Sequence, residues 1–197
     1  MKFKQNKKIV LASQSPRRKE YLNRYSLEFR IVTGDIDETA HPQEAPLDFV
    51  KRMAREKAEA VIQQCESDEI VIAADTIVVH DGAILGKPTS HADAFQMLKK
   101  LNGEIHQVIT AYVIHDCSLQ TSIQKNATSR VKFKPVGEPL LQTYANTQDP
   151  LDKAGSYSVQ EFGTFLVEKI DGSINNVIGL PIEMVIEDML EKNYLTI

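Results

Sequence analysis

Two short stretches without a polar residue, Ile9-Val10-Leu11-Ala12 and Ile70-Val71-Ile72-Ala73-Ala74, constrain the fold of this chain more than any other feature of its sequence. A strand with one wet face alternates apolar and polar residues, so an unbroken apolar run of this length suits a strand buried on both faces. The intervening residues supply the helices that cover such strands. Ser15-Pro16 follows the first run as an N-cap serine with proline at the first helical position, opening a helix to about Arg24. Residues 27–32 alternate as a second strand. From Leu47 a helix runs to about Gln64, with Leu47, Val50, Ala54, Ala58 and Val61 on one face. The second apolar run ends at Asp75-Thr76 and resumes as Ile77-Val78-Val79, after which Asp81-Gly82 is a hairpin signal.

Ser90 with Asp93 three residues on resembles a capping box, for a helix that stops near Gly103. Residues 105–114 and 128–133 read as strands, the first apolar on both faces and therefore central. Residues 139–145 read as a short helix and residues 163–170 as a strand. Asp171-Gly172 is a turn, and a closing helix runs from Pro181 to about Asn193. Strands that follow one another without a helix between them predict an α/β fold with a mixed sheet.

The length of 197 residues, 42% of them apolar, suits one large domain or two tightly joined lobes and buries a core without disulfides. Cys65 and Cys117 form no CxxC pattern and read as ordinary reduced thiols. A net charge of −4 without a basic stripe speaks against DNA binding. No run approaches the ~18 apolar residues of a membrane span, and the N-terminus has no apolar leader, so a cytoplasmic protein is expected. The first residues are nonetheless basic. Lys2, Lys4, Lys7 and Lys8 read as a solvated start of chain, while Arg17, Arg18 and Lys19 fall in the first turn of a helix.

That turn is a poor place for cations, because a helix N-terminus is already partly positive and each exposed charge costs roughly 0.3–1 kcal/mol there. A bound anion reverses the sign, so Ser13-Gln14-Ser15-Pro16-Arg17-Arg18 is either an anion site or a place where the arginines splay out or pair with acids. Asp75 ends a buried strand, where ligands of open α/β sheets collect, and suits metal binding or proton transfer. Gly86-Lys87-Pro88 offers a loop lysine for a phosphate, although no Walker A loop is present. In Asp152-Lys153-Ala154-Gly155-Ser156-Tyr157-Ser158-Val159-Gln160, Lys153 adds a cation, Tyr157 an aromatic face, and Gln160 an amide suited to a base edge. Gly172 to Pro181 reads mostly as turn chemistry. The five histidines never fall at helical spacing for a metal, and no GxSxG elbow occurs, which speaks against covalent catalysis.

In order and spacing, these segments resemble the Maf family of nucleotide pyrophosphatases. The resemblance is carried by Leu11-Ala12-Ser13-Gln14-Ser15-Pro16-Arg17-Arg18, Arg55-Glu56-Lys57-Ala58, Ala74-Asp75-Thr76-Ile77-Val78, Gly86-Lys87-Pro88, Asp152-Lys153-Ala154-Gly155 and Asn176-Val177-Ile178-Gly179-Leu180-Pro181. It implies one domain over residues 1–197, an elongated mixed sheet flanked by helices in two lobes with a deep cleft, similar to the inosine triphosphate pyrophosphatase fold. It also implies dependence on Mg2+ or Mn2+, a homodimer, and action on nucleoside triphosphates. Ser-Pro-Arg-Arg, Ala-Asp-Thr and a tyrosine three residues before Gln160 are similar to the dTTP and UTP branch. Carried over, Asp75 is the general base, Arg17, Thr76 and Gln160 set pyrimidine selectivity, and Glu38 with Asp75 holds the metal. Ser13, Arg18, Lys57, Lys87 and Lys153 bind phosphate. Asp37 stands beside Glu38 as a second acid, and Glu38 is taken as the ligand. Glu161 stands where the family usually has glycine, and Ile174 where it has an aromatic or polar residue. The rival readings are a nucleotide-binding regulator of cell division, a pyrophosphatase of the methylated-guanine branch, and an enzyme acting on the γ-phosphate.

Overall fold

Both apolar runs become inner strands of one mixed sheet in the computed structural model, which describes residues 3–197. The chain runs β1 (Lys4–Gln5), β2 (Lys8–Leu11), α1 (Pro16–Arg24), β3 (Phe29–Ile31), α2 (Pro46–Ile62), β4 (Glu69–His80), β5 (Ala83–Leu85) and α3 (His91–Leu101). It continues β6 (Ile105–Asp116), β7 (Thr121–Phe133), α4 (Glu138–Ala145), β8 (Val167–Asp171), α5 (Ile174–Ile178), α6 (Ile182–Glu191) and β9 (Leu195–Thr196). The main sheet has the order β3-β2-β4-β6-β7-β8, with β5 on β4. It is mixed because β2 lies parallel to β3 and β4, whereas β5 and β8 pair antiparallel with β4 and β7.

The residues group into two compact units. The first takes in residues up to Asp75, Thr110–Asn126 and Gly179–Ile197, and the second Thr76–Ile109 and Ala127–Ile178. In the first unit Ile9, Val10 and Leu11 stand opposite Ile70, Val71 and Ile72, all fully buried, as a strand covered on both faces requires. Pro46 starts α2 one residue before the expected Leu47, which is exposed. The buried stripe is Phe49, Val50, Met53, Ala54, Ala58 and Val61. β1 pairs with β9, Lys7 bonds the Ser118 hydroxyl and Asp116, and Lys8 pairs with Glu66 and Asp68. Lys4 and Lys8 are exposed, as expected of a solvated start, whereas Lys7 is half-buried by its contacts. Lys2 lies outside the described residues. Cys65 and Cys117 are free thiols, and burial pushes the Cys117 thiol up to about 11.

In the second unit the Asp81-Gly82 turn closes the β4–β5 hairpin with His80 opposite Ala83. Ser90 accepts a hydrogen bond from the Asp93 amide at the start of α3, while the Asp93 carboxylate accepts from the Thr89 amide. Leu98, Val131, Phe133, Leu141 and Leu166 fill its core. Two expectations fail here. The strand expected over 163–170 begins as a 3-10 turn, Phe162–Leu166, and becomes extended only at Val167. The turn segment after Gly172 forms the short helix α5. Among the described residues no helix is long and apolar enough to cross a membrane.

Candidate active site

Pro16 sets the start of α1 and Ser15 takes the N-cap position, but the Ser15 side chain makes no capping bond. The hydroxyl in use is that of Ser13, which accepts from the Ser15 amide at 3.2 Å and from Nη1 of Arg18 at 3.1 Å. Nε of Arg18 donates to the Gly179 carbonyl at 2.9 Å. Arg18 is 9% exposed, so it neither splays into solvent nor presents an open guanidinium. Of the alternatives read from the sequence, splaying into solvent is thereby set aside. Burial lowers its pKa, and the charges of Asp75 and Glu38 oppose that shift while Arg17 adds to it. Arg18 is thus a buried strut whose positive charge is felt by both carboxylates. Arg17, beside it, is half-buried.

The acidic loop between β3 and α2 is fixed by contacts that no local pattern reveals. Gly34 opens it against α2, where an added Cβ would stand 2.7 Å from the Cβ of Ala60. Arg52 then clips it from α2. Its guanidinium makes a bidentate bond to Glu44, with Nε and Nη2 each 2.7 Å from a carboxylate oxygen, and Nη2 also donates to the Thr39 carbonyl at 2.9 Å. Hydrogen bonding to Arg52 holds the Glu44 carboxyl down at about 2. Asp37 turns back on its own loop and accepts from the Thr39 amide. Glu38 instead reaches Nζ of Lys57 at 2.7 Å, and the same Nζ lies 2.6 Å from Oδ1 of Asp75. Two carboxylates from separate elements therefore converge on one ammonium. Asp75 is 14% exposed on the inner strand β4, Lys57 19% and Glu38 56%, so the group opens to solvent on the Glu38 side. Among the described residues no set of three or more His, Cys, Asp or Glu gathers as a metal cage.

In the second unit the two small-residue motifs meet, the Gly155 amide donating to the Gly86 carbonyl at 3.1 Å. Gly155 has φ +71, and an added Cβ would press on Val78 at 2.9 Å, so both conformation and space demand glycine. Lys87 is exposed. Lys153, expected as an open phosphate ligand, is buried within an acidic cluster. Its Nζ lies 2.8 Å from Asp149, 2.7 Å from Asp152 and 3.5 Å from Glu161. The unusual Glu161 thus joins the cluster, and its hydrogen bond with Asp149, then burial, raises its pKa. Tyr157, expected to offer a face to a base, is core. Its hydroxyl lies 2.8 Å from Nε2 of His106, and its ring packs edgewise on Phe133. Gln160 is exposed, its amide N–H bound to the Ser158 hydroxyl, and Thr76 is half-buried. Asn176 is fully buried and donates to Val108 and Ser129, in keeping with a structural reading of its motif.

Sequence reasoning named the residues that meet at Lys57 but missed Gly34 and Arg52. The helical spacing of Arg52 and Glu56 signalled only their own pair, not the clip to Glu44.

The sequence profile of the family described as Maf-like protein matches residues 8–192. The dTTP/UTP pyrophosphatase of Geobacter metallireducens is 46% identical over 185 residues, covering 94% of this chain and 96% of that protein. The dTTP/UTP pyrophosphatase of Desulfotalea psychrophila is 44% identical over 195 residues, covering 99% and 100%. Among solved structures, the Staphylococcus aureus Ham1 protein superposes with a TM-score of 0.53 at 16% identity, covering 95% of this chain and all of that one. A HAM1 protein from Coxiella burnetii gives a TM-score of 0.50 at 15% identity over 93% of this chain and 98% of that one. These two likenesses show a shared fold.

Proposed function

The chain belongs to the Maf family, and from that premise we infer that it is a nucleoside triphosphate pyrophosphatase, cleaving dTTP and UTP to the monophosphate and diphosphate. The observation that carries the reading is the convergence of Glu38 and Asp75 on Lys57, beside the buried charge of Arg18. Hydrolysis of a phosphoanhydride calls for hard oxygen donors, a base for water, and cations for the leaving polyphosphate. All three kinds of group occur within this one unit.

The carboxylate pair fits Mg2+ or Mn2+, because both donors are oxygens and they already surround a positive charge. Held by Glu38 and Asp75, such an ion would supply charge neutralisation and polarise phosphate oxygens. Asp75 takes the proton of the water that attacks the α-phosphorus, and its place on an inner strand keeps the carboxylate fixed. The bond from the α-phosphorus to the bridging oxygen breaks, and pyrophosphate leaves with the negative charge. Lys57 and the fixed charge of Arg18 stabilise that charge, and Ser13 and Arg17 complete the phosphate contacts of this unit. Lys153 is left to its acidic partners in this proposal. Thr76 and Gln160 read the pyrimidine, whose carbonyl and ring N–H edge suits an amide's donor and acceptor. The protein is taken to be cytoplasmic and a homodimer.

The test is a panel of nucleoside triphosphates with Mg2+ or Mn2+, scored for pyrophosphate and orthophosphate. UTP and dTTP giving pyrophosphate and monophosphate support the reading. A preference for a guanine nucleotide, or release of orthophosphate alone, overturns it.

A further inference from the structure

Lys57 is the point on which the carboxylate pair is built. Its Nζ lies 2.7 Å from Oε1 of Glu38 and 2.6 Å from Oδ1 of Asp75, so the ammonium occupies the space where the two acids meet. A divalent ion using the same oxygens must displace it. The local charge balance also disfavours a free ion. The two carboxylates already bond the ammonium of Lys57, and Arg18 adds a further positive charge whose field reaches both acids. The donor count points the same way, since among the described residues no third acid, histidine or cysteine completes the set. Magnesium-like ions with one or two protein carboxylates ordinarily complete their shell with substrate phosphates and water.

We propose that Lys57 acts as an internal counter-cation that holds Glu38 and Asp75 together while excluding free divalent ions, and that it is released when the polyphosphate enters. The triphosphate brings enough negative charge to draw the ammonium away from the acids. Glu38 and Asp75 are then free to hold a divalent ion, which would arrive with the nucleotide and take its remaining donors from phosphate and water. This inference rests on the proposed activity for its ligand but concerns the order of binding, which that activity does not fix. Lys57 on this view has two opposed effects, weakening metal binding and strengthening nucleotide binding.

The experiment measures both in the full-length protein. Mn2+ alone is titrated into wild type and Lys57→Met by water-proton relaxation, and α,β-imido-UTP is titrated into each in the presence of EDTA. Removing a unit charge at contact distance should tighten free Mn2+ by about tenfold or more and weaken the metal-free analogue by a similar factor. Lys57→Arg, which keeps the charge, should bind Mn2+ within about threefold of wild type. Should Lys57→Met fail to fold, Lys57→Gln takes its place, keeping length and hydrogen bonding. Equal Mn2+ affinity in variant and wild type overturns the proposal, and so does a variant that binds both ligands more weakly, as a merely structural lysine would give. Pyrophosphate release from UTP by the wild type keeps the two readings apart. If release is intact and Mn2+ affinity is unaltered by Lys57→Met, only the counter-cation is refuted. If release is absent, the activity is refuted, and the Mn2+ comparison still decides the role of Lys57.

Discussion

Replacing Arg18 by Met, which keeps volume and removes charge, separates two opposite expectations for the same residue. From its place in the first turn of α1, removal should relieve roughly 0.3–1 kcal/mol of unfavourable interaction with the helix dipole. The folded structure gives the other side. Arg18 donates to the Gly179 carbonyl at 2.9 Å and to the Ser13 hydroxyl at 3.1 Å, and is 9% exposed. A hydrogen bond from a charged donor contributes about 1.5–3 kcal/mol, and a buried acceptor left unpaired costs about 1–3 kcal/mol. Part of this is returned because a desolvated charge is gone. The balance is a loss of about 2–4 kcal/mol, or roughly 4–16 °C in Tm for a chain of this size. Urea and thermal unfolding of protein free of metal and nucleotide give the number. Arg18→Lys should lose less, since it keeps the charge but not the fork that reaches both acceptors. If Arg18→Met is as stable as wild type, the hydrogen bonds do not outweigh desolvation and the strut assignment is wrong.

Other consequences are equally direct. Asp75→Asn should keep its fold and nucleotide binding while kcat falls about 10²–10⁴-fold, and retention of half the activity would remove Asp75 as base. Gln160→Ala should lower kcat/KM for UTP and dTTP more than for purine triphosphates, flattening the substrate panel; an equal loss on all substrates would count against base reading. Burial, then the nearby charge of His80, holds the His106 imidazole well below its ordinary range, at about 4. Below its unfolded pKa the unfolded chain takes the proton first, so stability should fall by ~1.4 kcal/mol per pH unit from about 6.5 down to about 4. His106→Phe should remove that acid limb, as read by urea midpoints across the range.

What the sequence made legible was local or periodic. The apolar runs at Ile9 and Ile70, the α2 stripe and the Asp81-Gly82 hairpin each depend on neighbours along the chain. What it hid depends on partners far away. The role of Arg18 as a strut was hidden because its acceptor at Gly179 is 161 positions distant. The burial of Lys153 was hidden because its closing partners, the buried side chain of Asp149 and the exposed Glu161, are brought to it only by the tertiary fold. Tyr157 looked like a platform for a base, yet His106 and Phe133 enclose it in the core. The 3-10 turn at Phe162–Leu166 was hidden because an apolar stretch flanked by glycine suits a strand equally well. In the candidate site the family resemblance pointed to Glu38, Lys57 and Asp75, but their meeting at one ammonium, beside a loop that Arg52 also clips, is a tertiary arrangement.

The central claim, attack of water on the α-phosphorus, is tested most directly by turnover of UTP in 18O-labelled water with mass analysis of both products. The account predicts one labelled oxygen in UMP and none in the pyrophosphate. Label in the pyrophosphate, or orthophosphate as the released product, would contradict it.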